Sequence, residues 1–374
     1  MINFKVILNV LGILLLALSA LMLFPLIADA IKNNSTWMSF VISLGITASV
    51  GITLILSTRD EVNKKLIMQD AFLLTTLSWV FVCFFGSLPF YLSDINFSFT
   101  DSIFEAMSGV TTTGSTIIND VESMPHGILI WRALLQWLGG VGIIVMALSI
   151  LPVLQVGGMQ VFRTESSDTT EKILPKTTQI ASAVILVYLV LTFTCLVSYW
   201  IFGMSFFDAL IHSMTTIATG GFSSKNESLA SFNINSLEYI ACLFMIIGSL
   251  PILIYLELWN GKFKKVFNDT QISTFIYLLF ACSIMVIFYL WFNDIKNIEE
   301  SIRLGLFNVI SIITGTGYTT DNFNLWGPFP IYLLFFGMFI GGCAGSTTCG
   351  IKIFRFQILF ETLKNQIQKL LHPH

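Results

Sequence analysis

Three short, uncharged stretches hold the residue types that could ligate a cation without a single acid. They contain Thr112, Thr113 and Gly114 in "GVTTTGST", Thr219, Gly220 and Gly221 in "TIATGGFS", and Thr316, Gly317 and Tyr318 in "ITGTGYT". The ligands on offer are backbone carbonyl oxygens. Glycine reaches the φ > 0 values that turn successive carbonyls one way, and a ring of such carbonyls replaces the hydration shell of a monovalent cation, as in potassium filters. The alternative is that Gly, Ser and Thr only let helices approach closely. Three copies in equivalent positions favour the carbonyl reading.

Each copy follows a helix-like run: "FTDSIFEAMSGV", "FFDALIHSMTTI" and "IRLGLFNVISII". Asp101 and Asp208 stand thirteen residues before Gly114 and Gly221, and the three glycines lie 107 and 96 residues apart. The chain therefore repeats a unit of about a hundred residues: span, half-length helix, Gly/Thr turn, span. At about a dozen residues and 1.5 Å rise each, the half-helices are too short to cross a bilayer and must dip in and return. Irregular backbone at that depth is tolerated only where it lines a polar path or is buried in protein. The C-terminal end of each half-helix adds the negative end of its dipole at the turn.

Composition agrees with this setting. With 55% hydrophobic and 11% charged residues and a mean hydropathy of +0.81, the chain is an integral membrane protein. A net charge of -3 and the lack of a basic run with interleaved aromatics argue against nucleic acid as a partner. The six cysteines show no metal-type pairing and no disulfide framework, and no cofactor is expected. Runs long enough to cross roughly 30 Å of hydrocarbon are expected near residues 4–28, 37–56, 71–92, 128–154, 180–202, 237–258 and 272–292, with an interrupted last one near 328–371. "ADA" at 28–30 resembles a signal cleavage site, but the preceding apolar run is too long and a second span follows at once.

The last span is interrupted by "GGCAGSTTCG": Gly341, Gly342, Cys343, Ala344, Gly345, Ser346, Thr347, Thr348, Cys349 and Gly350. One reading is a packing face, because Gly337, Gly341 and Gly345 sit four apart. The other is an unwound loop across the pore below the filter, whose small side chains suit a gate. No Lys-Ser/Thr follows the glycines at P-loop spacing. Asp101 and Asp208 read as acids or caps of helix first turns, with attraction of cations to the mouth as the alternative, Glu105, His212 and Asn308 as hydrogen-bonding anchors, and Arg132 as a side chain that snorkels or pairs with an acid.

The repeated units, with "WRALLQWLGGVGIIVMALSILPVLQVGGMQVFRTESS" (131–167) and "GMFIGGCAGSTTCGIKIFR" (337–355), resemble the bacterial Trk-type potassium uptake proteins of the Trk/Ktr/HKT superfamily. The resemblance covers essentially the whole chain. It implies an all-α membrane protein of K⁺-channel-like units around a pseudo-symmetric pore, preceded by two extra N-terminal spans. Potassium is then the transported ion, the assembly a homodimer, and the regulator a cytosolic nucleotide-binding subunit. The expected divisions are 1–65, then repeats at 66–165, 166–265 and 266–374. A secondary transporter would show inverted halves, and a membrane enzyme an assembled set of catalytic groups; the repeats show neither.

Orientation follows from Lys and Arg. If the turns enter from outside, the inner side holds Lys5, Arg59, Lys64, Lys65, Arg163, Lys172, Lys176, Lys262, Lys264, Lys265, Lys352, Arg355, Lys364 and Lys369, leaving Lys32, Arg132, Lys225, Lys296 and Arg303 outside. Fourteen of nineteen inside satisfies the positive-inside rule and places the filters outward, in the bacterial cytoplasmic membrane. The superfamily closes its pore with four repeats, whereas three are read here, and the observed spacing would put a fourth glycine near residue 415. The expectation is a truncated product, a fragment, or a pore completed by another polypeptide; a Na⁺-permeable relative is a further alternative.

Overall fold

The computed structural model describes residues 2–59, 68–154 and 177–371. Lys64, Lys65, Arg163, Lys172, Lys176, His374 and residues 155–167 of the 131–167 motif lie outside the described residues. The described chain is an all-α membrane protein. Five of its helices are long and apolar enough to cross a bilayer, six if a bent pair counts as one span.

The chain divides into two compact units, the first being Met1–Met159 with Phe222–Asn226. Here α1 (Phe4–Leu21) packs on α3 (Trp37–Thr58) and α4 (Met68–Tyr91), and α2 (Leu23–Lys32) on α6 (His126–Leu154). The first apolar run thus carries helix to Lys32, beyond the expected end at 28. Asp29, fully buried on α2, accepts from Thr36 Oγ1 (2.5 Å), Asn34 Nδ2 (2.9 Å) and the backbone N–H of Gly127 (2.7 Å). A carboxylate is thereby set against the N-terminus of α6, the end that favours negative charge. The short helix α5 (Phe99–Val110) is held by α4 and α6.

The second unit is Gln160–Gly221 with Glu227–His374. Its α8 (Phe206–Ile217) packs against α7 (Thr177–Ile201) and α9 (Asn235–Ser249); its α13 (Ile298–Ile313) packs against α12 (Thr270–Phe292), α9 and α14 (Pro328–Gly337). On α12, Phe275, Leu279, Val286 and Leu290 are buried while Tyr277, Phe280, Phe288 and Trp291 are exposed, as expected of a helix with protein on one side and hydrocarbon on the other.

The run at 237–258 is not the single span expected. It breaks after Ser249, and α10 (Ile252–Trp259) leaves at 93°. Pro251 has no N–H to continue the ladder and restricts Leu250 to extended backbone, observed at ψ 157. The Tyr255 hydroxyl reaches back across the bend to donate to Ile247 O (2.5 Å). A five-residue α11 (Phe263–Phe267) leads into α12. The last span is likewise in two pieces, α14 and α15 (Ile353–Leu371). Gly341 and Gly345 lie in the segment between them, outside any helix, which overturns the packing-face reading of Gly337, Gly341 and Gly345.

Candidate functional site: three Gly/Thr turns and an unwound loop

Each turn hangs from a short helix that the sequence starts with a cap. Ser98 and Ser205 accept from the N–H groups of Asp101 and Asp208 (3.1 Å each), and Asn297 from Glu300 (2.9 Å). Asp101 completes a capping box with Ser98, so these acids serve their own helices. The third helix, with 16 residues against 12 and 12, starts one turn earlier relative to its glycine.

At the C-terminal ends the three copies share one backbone. Thr112 and Gly114 have φ 55° and 78°, Thr219 and Gly221 50° and 75°, Gly315 and Gly317 72° and 82°. In every turn two residues spaced two apart are left-handed. An extended chain alternates its carbonyls; left-handed residues at every second position undo that alternation and bring successive carbonyls to one side. Threonine bears this strain at 112 and 219, an arrangement that persists only where the surroundings enforce it. The common register adds Gly315 to the residues singled out from sequence, and the signal was present in the double glycine of "TGTGY".

Gly221 and Gly317 differ in their surroundings. A β-carbon on Gly221 would collide with the Thr316 carbonyl of the neighbouring turn, whereas one on Gly317 meets nothing within 4 Å. The following spans also close in on glycine: a β-carbon on Gly139 would strike Val110 O at the end of α5, and one on Gly248 would lie 3.1 Å from Ile217 O at the end of α8.

Hydroxyls six residues before each glycine support the turns. Ser108 donates to Ser115 O (2.5 Å) and Ser311 to Tyr318 O (2.7 Å). Their counterpart Thr215 instead meets the Tyr318 hydroxyl at 2.5 Å, which also lies 3.2 Å from Thr216 Oγ1. Tyr318 is buried, so its ring stands behind the turns.

The position nine residues before each glycine carries Glu105, His212 and Asn308. Glu105 accepts from Thr116 Oγ1 (2.9 Å), the N–H of Ile117 (3.2 Å) and Arg132 Nε (2.6 Å). Arg132 is 2% exposed: it pairs with the acid and does not snorkel. Its guanidinium also donates to Ser223 O (3.2 Å) and lies over the Phe222 ring at 4.0 Å. His212 donates from Nδ1 to Asp208 O (2.8 Å), and Asn308 from Nδ2 to Leu304 O (2.9 Å) and Thr320 Oγ1 (3.0 Å).

Beyond the turns, two acids are held below the usual carboxylate range. At Asp120 the hydrogen bond from Asn226 does this. At Asp321 burial pushes upward, but the Trp326 indole (2.9 Å) and the Lys296 ammonium (3.0 Å) outweigh it.

The segment from Gly341 to Gly350 is held by elements of the second unit. Cys343 donates its N–H to Ser249 O at the bend (3.1 Å), and Ile252 donates to Gly345 O (3.0 Å). The Thr347 hydroxyl lies 3.1 Å from each of three oxygens: Ile217 O at the end of α8, Gly248 O, and Thr219 Oγ1 in the second turn. Gly345 and Gly350 take φ 75° and 77°, which lets the loop double back.

The family model for TrkH, described as a cation transport protein, matches residues 37–374. The Trk system potassium uptake protein TrkI of Halomonas elongata is 38% identical over 369 residues, 98% of this chain and 74% of the relative. TrkH of Escherichia coli K12 is 35% identical over 377 residues, 100% of this chain and 78% of the relative. The crystal structure of the potassium transporter TrkH from Vibrio parahaemolyticus superposes with a TM-score of 0.92 at 32% identity, covering 100% of this chain and 78% of that one.

Proposed function

The chain belongs to the TrkH family of cation transport proteins and serves potassium uptake as a multi-pass membrane protein, not an enzyme; we propose that the ion passes along the three Gly/Thr turns. The carbonyls of Thr112–Gly114, Thr219–Gly221 and Gly315–Tyr318 replace water around K⁺, with the Tyr318 side chain and the pore-helix hydroxyls holding the backbone from behind. The observation that carries this reading is the pair of left-handed residues, two apart, in each turn. The repeats run from residue 66, 166 and 266, and the loop at 341–350 gates the path.

As a Trk system membrane subunit it works with a regulatory partner. We take that partner to be a cytosolic nucleotide-binding subunit acting on a homodimer in the bacterial inner membrane, with the turns facing outward by the Lys and Arg distribution.

The test is radiolabelled Rb⁺ uptake, with and without competing Na⁺, into cells lacking their own K⁺ uptake. Gly221→Ser should lose discrimination against Na⁺; wild-type selectivity in that variant, with the protein present in the membrane, overturns the filter. Deleting Ala344–Ser346 should raise basal flux and leave selectivity intact. A deletion variant that folds and conducts no more than wild type removes the gate.

A further inference from the structure

Within the unwound loop sits a cluster of oxygens around a nitrogen. The Lys352 ammonium lies against the Thr348 carbonyl, 2.8 Å from Thr348 Oγ1 and 3.4 Å from Ser346 Oγ. Among the described residues no carboxylate stands within ion-pair distance of it. A half-buried cation held by oxygen dipoles alone is unusual, because burying charge without a counter-ion is costly.

The direction of the hydroxyl protons explains how the oxygens hold it. Ser346 donates to Cys343 O (2.6 Å), which commits its only proton. The 2.9 Å bond between Ser346 Oγ and Thr348 Oγ1 is then donated by Thr348, which itself accepts from the N–H of Gly342 (3.0 Å). Both hydroxyl protons run away from Lys352 along a relay ending at Cys343 O. What faces the nitrogen is lone pairs: two hydroxyl oxygens and one carbonyl. An oxygen cluster so arranged suits a monovalent cation. An ammonium and K⁺ are close in size, and both are satisfied by oxygen lone pairs.

We infer that Thr348 O, Thr348 Oγ1 and Ser346 Oγ form a monovalent-cation site in the loop, filled by the chain's own Lys352 and open to K⁺ whenever that ammonium withdraws. The inference rests on the potassium-transport reading. It adds a site separate from the filter, in which a tethered cation and the permeant ion compete for the same oxygens.

The test compares wild type with Lys352→Met, which keeps an unbranched side chain, shortens it by one atom and removes its charge. Crystals of both are grown in RbCl and examined for Rb⁺ anomalous scattering, and melting is followed in choline, Na⁺ and K⁺ chlorides at one ionic strength. Rb⁺ should appear at the loop oxygens in Lys352→Met and not in wild type, with filter peaks in both. K⁺ should also raise the melting temperature of the variant more than that of wild type, since a ligand that binds only the folded state stabilises it. Adding Ser346→Ala and Thr348→Val to Lys352→Met should abolish the extra shift. Filter peaks without a loop peak, or equal K⁺ shifts in variant and wild type, overturn the site while leaving the transport reading intact. Absence of filter peaks in wild type counts against the transport reading itself. Failure of Lys352→Met and Lys352→Gln to fold in saturating K⁺ also overturns the site, because a filled site must support the loop.

Discussion

The turn of the first unit and the two turns of the second have the same backbone and opposite support. Behind Thr112–Gly114 stands a buried ion pair, Glu105 with Arg132, which reaches forward to the N–H of Ile117. Behind Thr219–Gly221 and Gly315–Gly317 stand hydroxyl, ring and amide groups: the Tyr318 hydroxyl between Thr215 and Thr216, the imidazole of His212 on Asp208 O, and the amide of Asn308. The second unit does have an ion pair, Glu238 with Arg303 at 2.6 Å, but it ties α9 to the first half of α13, away from the turn. The same left-handed pairs are therefore enforced by two chemistries. A buried ion pair is rigid while both partners are present and severe in its failure, because the survivor is an uncompensated charge. A hydroxyl network degrades in smaller steps.

The two supports differ most at Arg132. Arg132→Met leaves Glu105 buried without its counter-ion, and should cost about 3–5 kcal/mol, read as a lowered unfolding midpoint and loss of Rb⁺ uptake. The double variant Glu105→Gln with Arg132→Met should recover most of that loss, since the amide oxygen still accepts from Ile117 and no charge is stranded. A single variant as stable as wild type would show that the pair is not what holds the first turn.

Inside the second unit, the glycines sharpen the contrast between conformation and space. Any L-residue in the left-handed region costs roughly 1–2 kcal/mol, which sets the expected loss for Gly317→Ala, where the added carbon meets nothing within 4 Å. Gly221→Ala bears the same strain plus a collision with Thr316 O, so its loss of stability and of K⁺ over Na⁺ selectivity should be clearly the larger. Equal losses would mean that the two turns are not seated against each other as described.

The repeat was legible because it is written locally. The acids at Asp101 and Asp208 and the Gly/Thr turns depend on neighbours within about one turn of helix, so spacing alone brings them out, whereas the caps at Ser98 and Ser205 emerge with the structure. Gly315 and the hydroxyls at Ser108, Thr215 and Ser311 were recoverable once the three copies were placed in register. The partner of Arg132 was not, because Glu105 is 27 residues away and either unit of the repeat offers several acids. The bend at Leu250 had a signal in Pro251, which a count of apolar residues passes over. Nothing in composition could show that Gly139 stands against Val110 O, since a glycine reports close approach only when its neighbour is known.

A smaller step separates the two supports at Tyr318. Tyr318→Phe removes one hydroxyl from the neutral network, and Thr215 retains Ile211 O as an acceptor at 3.1 Å. The expected loss is about 0.5–1.5 kcal/mol, with uptake retained and selectivity modestly weakened in Rb⁺/Na⁺ competition. A loss as large as that of Arg132→Met would show that the second unit is as brittle as the first.

The smallest effect lies in the loops beyond the turns, where each unit again has its own arrangement. Asp120 in the first is exposed and meets Asn226, while Asp321 in the second meets Trp326 and Lys296. Both carboxyls sit below their ordinary value when folded. A depressed folded pKa contributes stability that is complete above the unfolded value of about 3.9 and lost as pH falls through the folded one. Melting temperatures of wild type and Asp321→Asn should therefore differ by a constant amount above about pH 5 and converge below the unfolded carboxylate value. Asp120→Asn should follow the same course with a smaller gap, because its support is a neutral amide in water and not an ammonium beside an indole. High salt should shrink the Asp321 gap by screening Lys296 and leave the Asp120 gap nearly unchanged. Should the Asp321 gap instead widen as pH falls, the carboxyl is not held ionised by Lys296 and Trp326, and the loop after the third turn is tied down by other means.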